Sequence, residues 1–293
     1  MTQVISRVND VVSTWGSIKA AQGAAARMID ILKAPEEKLD MAAPAQDIPD
    51  GDIVFQDVCF SYGDKQVLHH LNLTIPKGKT TALVGRCGSG KTTLLSLIER
   101  LYTPSQGTIT LAGRNVADYD LTSYRAHFAY VQQDAGVFGG TLRSALTYGI
   151  RRPVSDAELY TAAEKTGILP LVTGTPAGFD ARLAISGTSV SGGQRQRIVL
   201  TRELLKQKPW LLLDEPTSAL DAHSALAVQQ KLMTLFDGTT KLMITHDLRL
   251  LARVDHVIFL ENGRVADSGS PAELIARCAA YRALVQCSKG ACV

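Results

Sequence analysis

The sequence has no run of about eighteen continuous apolar residues, the length a membrane-crossing helix requires, and no basic region leading into an apolar core at its N-terminus. Neither a membrane span nor a secretory signal is therefore expected within these 293 residues. A large excess of one charge is also missing: the net charge of +3 is too small to argue for nucleic acid as a partner. Cysteine is sparse and scattered. Cys59, Cys87, Cys278, Cys287 and Cys292 are odd in number, one inside a glycine-rich loop and three near the C-terminus, which argues against a disulfide framework or a Cys-pair metal site. A reduced, cytosolic compartment fits that usage. What remains is an ordinary globular composition, 45% apolar, able to bury a sizeable core and long enough for about two domains.

The rest of the chain is organised around Gly85-Arg86-Cys87-Gly88-Ser89-Gly90-Lys91-Thr92. Two glycines five apart, followed by Lys and a hydroxyl residue, let the backbone curl so that successive N–H groups point inward where a helix begins, making an anion site. Lys91 then reaches the terminal phosphates of a nucleoside triphosphate, and Thr92 is placed to hold Mg²⁺. The flanks agree: Thr80-Thr81-Ala82-Leu83-Val84 is apolar and β-prone, and Thr93-Leu94-Leu95-Ser96-Leu97-Ile98 is helix-forming.

In chain order, residues 1 to about 33 read as one long helix, with Val4, Val8, Val11, Val12, Trp15 and Ile18 at three- and four-residue steps. Its apolar face belongs either against its own domain or against helices outside this chain. Residues 34–51, with Pro35, Pro44 and Pro49, lack periodicity and read as a linker. From Asp52 the rhythm becomes β: Ile53-Val54-Phe55, Val58 to Tyr62, Gln66-Val67-Leu68 and Leu71 to Ile75 predict short antiparallel strands. Tyr62 precedes a Gly63-Asp64 turn, where its ring is either a plain sheet residue or a surface for stacking a base. Further on, Gly107 to Gly113 is another short strand, and Tyr130-Val131 ends in the polar cluster Gln132-Gln133-Asp134. Ser155 to about Thr201 reads as mostly helical, a subdomain opened by an N-cap at Ser155 with Glu158 three positions on.

Inside that block Ser191-Gly192-Gly193-Gln194 opens a helix and is either a plain helix cap or a second anion site. One bound triphosphate does not easily require two such sites, so the second is suited to a nucleotide held by another copy. Trp210-Leu211-Leu212-Leu213, a run suited to a strand buried on both faces, ends in Asp214-Glu215. Carboxylates there are costly unless they hold a cation or a water. A third strand, Lys241 to Thr245, ends in His246-Asp247, where His246 is either structural or a partner of the terminal phosphate at the same sheet edge.

Taken together, the set resembles the nucleotide-binding domain of an ATP-binding cassette (ABC) transporter. Gly85 to Thr92 matches the family's Walker A loop, Gln133 its Q-loop glutamine, and Val190 to Gln194 its signature motif. Leu211 to Glu215 matches the Walker B strand, Ser218-Ala219-Leu220-Asp221 the D-loop, and His246 the switch histidine. The resemblance implies an α/β fold: a P-loop NTPase core with a mostly parallel sheet, an antiparallel β subdomain and an inserted helical subdomain, over residues 52–285. Residues 286–293 are left as a tail. It also implies a head-to-tail dimer in which ATP on one Walker A loop is covered by Ser191, Gly192, Gly193 and Gln194 of a second nucleotide-binding domain, with Asp221 nearby. By the same likeness Tyr62 stacks the adenine and Thr93 joins Gly85 to Thr92 around the phosphates. Thr92, Gln133 and Asp214 hold Mg²⁺, and Glu215 is the base that Gln133 and His246 assist.

Residues 23–32 resemble the segment that follows the last membrane helix of exporter-type members. A transmembrane domain on a longer chain, at the cytoplasmic face of a cell membrane, is the expectation, with ATP hydrolysis driving transport, chiefly export. Three positions depart from the pattern: Val190 stands where Leu is usual, Gln132 replaces a Pro, and Ser186-Gly187 lacks the usual Glu. Two other readings stand beside this one. A soluble ABC ATPase of DNA repair or translation usually carries a coiled-coil insertion or a second cassette, and neither is present. A nucleotide-sensing subunit usually loses one of the catalytic motifs, whereas Glu215, His246 and the signature are all retained.

Overall fold

The computed structural model describes residues 2–34, 37, 46–133, 136–183, 190–217, 228, 232–245 and 247–288. It divides into two compact units, Met1–Leu39 and Asp40–Val293. The first holds helix α1 (Thr2–Leu32), which lacks Gly or Pro between its start and Gly16. Val11, Val12, Trp15 and Ile18, the stripe read from the sequence, are each more than half exposed.

The second unit is built on two sheets. Strands β1 (Ile53–Tyr62) and β2 (Lys65–Ile75) form an antiparallel hairpin. They are followed by β3 (Thr80–Gly85) and α2 (Lys91–Ile98). β4 (Gln106–Leu111) and β5 (Arg114–Asn115) then return to the first sheet, whose order is β2-β1-β4-β5. After α3 (Leu121–Arg125) comes β6 (Phe128–Val131). The helical block holds β7 (Gly140–Thr141), α4 (Leu142–Thr147), α5 (Asp156–Thr166), α6 (Leu169–Thr173), β8 (Arg182–Leu183) and α7 (Gly192–Lys206). β9 (Trp210–Asp214), β10 (Thr240–Ile244), β11 (His256–Glu261) and β12 (Arg264–Gly269) complete the central sheet.

That sheet runs β12-β11-β3-β10-β9-β6 and is parallel throughout except for β11–β12. Every residue of β3, β9 and β10 is buried, and in β9 this gives the unbroken apolar run Trp210–Leu213 rather than an alternating pattern. Parallel strands carry their carboxyl ends to one edge, the edge where such sheets bind ligands.

The expected α/β architecture is present, with one difference in detail. Four short runs were expected between Ile53 and Ile75, and two long strands occur. The polar pairs that suggested breaks are irregularities within the ladder: Asp57 and His70 take positive φ values of 52° and 50°, and the β1–β2 register shifts beside them. The Asp57 carboxylate stands 2.7 Å from the His70 ring, and Asn72 Oδ1 accepts the Asp57 N–H at 2.9 Å, so the bulge keeps its polar groups bonded. Part of the segment read as linker is likewise tied down. Ile48 is buried, the Gln46 N–H donates to Ser123 Oγ at 2.9 Å, and Gln46 Oε1 accepts the Asp120 N–H at 2.8 Å.

Candidate active site

The glycine-rich loop joins β3 to α2, as its flanks predict. Gly90 is the N-cap of α2 with φ of 100°, a left-handed conformation that glycine adopts without a side-chain clash. A Cβ there would also lie 2.5 Å from Leu68 Cδ2, so the loop seats directly on β2. Lys91 is buried and its ammonium donates to the carbonyls of Gly85 at 2.8 Å and Arg86 at 2.9 Å. Burial holds its pKa below the usual lysine value, while Glu215, Cys87 and Asp214 act to raise it. Ser89 Oγ, also buried in the loop, has no hydrogen-bond partner among the described residues. A buried orphan hydroxyl beside inward-turned backbone is suited to an anionic oxygen.

The other side of the site is acidic. Asp214, the last residue of β9, is buried and accepts a hydrogen bond from the Thr92 hydroxyl. Burial first, then the neighbouring Glu215, raises its pKa, against the pull of Thr92 and Lys91. A hydroxyl and a carboxylate side by side are hard oxygen donors, a set that fits Mg²⁺ held jointly with phosphate oxygens. Glu215 lies just past the strand with φ of 45°, an uncommon conformation for a residue with a side chain. Its N–H donates to the Ile244 carbonyl at 3.0 Å, which hooks this turn to the adjacent strand β10. Gln133, two residues past β6, brings Nε2 to 3.5 Å from Glu215 Oε2.

These residues line one cleft of about 810 Å³, which Tyr62, Cys87, Gly88, Gly90, Lys91, Thr92, Thr93, Gln133 and Glu215 share. Tyr62 is 42% exposed, and its hydroxyl lies 3.4 Å from Thr93 Oγ1. Phe60 and Tyr102 meet its ring edge-on, at centroid distances of 4.8 and 5.2 Å. Gly85, Ser89 and Asp214 are buried and Arg86 is exposed, and none of the four is in the cleft lining.

Ser191 to Gln194 do not line it among the described residues. They form the N-terminus of α7 as a capping box: the Gln194 N–H donates to Ser191 Oγ at 3.2 Å, and Gln194 Oε1 accepts the Ser191 N–H at 2.8 Å. The helix cap read from the sequence is present. His246, Asp221 with the rest of the D-loop, and Ala184 to Gly187 lie outside the described residues. Sequence reasoning missed Lys65, His69, Asn262 and Gly263, which line the same cleft. The Asn-Gly pair between β11 and β12 was the available signal, a two-residue hairpin turn, but nothing in it announces which strand the turn touches.

Beyond this geometry, the chain matches the ABC transporter family over residues 68–218, more than half of its length. Among curated proteins it is 39% identical over 283 residues to the ATP-dependent lipid A-core flippase of Idiomarina loihiensis, covering 96% of this chain and 48% of that protein. The ATP-dependent lipid A-core flippase of Hahella chejuensis is 38% identical over 282 residues, with 96% and 47% covered. The chain thus spans about half the length of the curated relatives it matches. A solved structure of a bacterial Atm1-family ABC exporter with ATP bound superposes with a TM-score of 0.81 at 31% identity, over 94% of this chain and 48% of that one. The P-loop core, the antiparallel sheet and the cleft at the carboxyl edge are accordingly those of an ATP-binding domain of the exporter kind, and the chain belongs to the ABC transporter family.

Proposed function

We propose that this chain is the nucleotide-binding half of a membrane exporter, hydrolysing ATP only when two such domains close head to tail. The observation that carries this is the division of the motifs. One cleft holds Lys91, Thr92, Gln133 and Glu215 together, whereas Ser191 to Gln194 cap a helix that does not line it. A second domain would bring its own Ser191, Gly192, Gly193 and Gln194, with Asp221, onto the nucleotide.

In this reading Tyr62 stacks the adenine and the loop from Gly85 to Thr93 enfolds the phosphates. Lys91, held among carbonyls, supplies a fixed positive charge to the terminal phosphate. Thr92 and Asp214 would hold Mg²⁺ with help from Gln133, and the ion would neutralise charge between the outer phosphates. Glu215 accepts the proton of the attacking water, Gln133 orients that carboxylate, and His246 steadies the water or phosphate. The exposed stripe of α1 continues toward a membrane domain on the longer chain, at the cytoplasmic face. Because the named relatives are lipid A-core flippases, an amphiphilic lipid is the first class of cargo to test.

The direct experiment is Glu215→Gln. The expected outcome is ATP-dependent dimers whose turnover falls by roughly 10² or more, the scale of removing a general base. Unchanged ATPase activity in a preparation free of contaminating enzyme would remove Glu215 from that role.

A further inference from the structure

We infer that the Asn262–Gly263 turn is a positioning element for nucleotide binding: it fixes the strand segment Val67–Leu68–His69, and through it the distance between the base side of the cleft and the phosphate loop. The inference rests on the proposed placement of the base beside Tyr62. Three contacts carry it. The His69 N–H donates to the Gly263 carbonyl at 2.8 Å. Gly263 approaches β2 so closely that a Cβ on it would lie 2.1 Å from the Val67 carbonyl oxygen and 2.8 Å from the His69 ring. Between them Leu68, fully buried, abuts Gly90, where a Cβ would fall 2.5 Å from Leu68 Cδ2.

The turn itself is stiff and specific. Asn262 and Gly263 both have positive φ, 49° and 71°, the signature of the tight hairpin turn that Asn-Gly pairs favour. Its arms are β11, hydrogen-bonded to β3, and β12. The tip of the central sheet is thereby pressed against the antiparallel sheet at the rim of the cleft, and Asn262 and Gly263 are themselves lining residues. Loosening the tip frees Val67 to His69 to shift relative to Gly90, which spoils simultaneous contact with base and phosphates but leaves the phosphate loop intact.

The test compares two probes on this chain, Mg²⁺–ATP and Mg²⁺–tripolyphosphate, by titration calorimetry or competition. Gly263→Ala should weaken ATP at least about fivefold, the lower bound for losing one well-placed base stack, while tripolyphosphate affinity stays within twofold. Because the new Cβ meets backbone, a second variant guards against simple misfolding. One glycine inserted between the exposed Asn262 and the buried Gly263 lengthens the turn without adding a side chain and should give the same split. Equal losses for both probes, or no loss for either in the insertion variant, would overturn the inference. Tyr62→Ala is run alongside. If it shows the split and the turn variants do not, only this inference fails; if none of them shows it, the placement of the base fails with it.

Discussion

Glu99, at the end of α2, should make the protein less stable as pH rises through neutrality. It is half-buried, and burial lifts its pKa from 4.5 to about 7, with Glu203 adding to the rise and Arg125 and Lys206 opposing it. The folded state therefore holds a proton between pH 4.5 and about 7 that the unfolded chain has released. A raised carboxyl pKa contributes stability that is full below the unfolded value and lost as pH climbs through the folded one. Every tenfold gain in proton affinity corresponds to ~1.4 kcal/mol, so the rise from 4.5 to about 7 sets a ceiling of about 3 kcal/mol.

Glu99→Gln removes the proton and keeps the shape. Its stability relative to the parent should rise by about 1–3 kcal/mol between pH 5 and pH 8, as read from urea unfolding midpoints at matched slopes. A stability difference that does not change between the two pH values, or that changes in the opposite direction, would refute the argument from burial.

Two further outcomes follow from the site. Leu68→Ala empties a fully buried position pressed on Gly90, and should cost about 2–5 kcal/mol in chemical unfolding together with weaker ATP binding; a loss below about 1 kcal/mol would show that the site collapses onto the gap. Thr92→Val removes the hydroxyl that bonds Asp214, and should cut the Mg²⁺-dependent part of ATP affinity while binding measured in EDTA is kept; equal loss with and without the metal would contradict the assignment.

Much of this was legible in the sequence because it is local. The loop from Gly85 to Thr92, the doubly buried run from Trp210 to Leu213 and the caps at Ser155 and Ser191 each depend on residues a few positions apart, and each occurs where read. The bulges at Asp57 and His70 were not legible, since a polar pair inside a β pattern signals an end unless the partner strand is known. Nor was the contact of Gly263 with Val67. It joins residues far apart in the chain, and its cause is a backbone approach that leaves no mark in side-chain chemistry.

The central claim is that a working site needs two chains, and mixing two defective ones tests it most directly. In a Glu215→Gln background, Lys91→Ala chains have an impaired phosphate loop but an intact signature, and Ser191→Arg chains have the reverse. Sedimentation with ATP should find neither dimerising alone, and the mixture forming dimers with one tightly held ATP. If the mixture stays monomeric while the Glu215→Gln parent dimerises, or if the Ser191→Arg chain alone holds ATP and dimerises like that parent, the signature does not complete a second chain's site and the account is wrong.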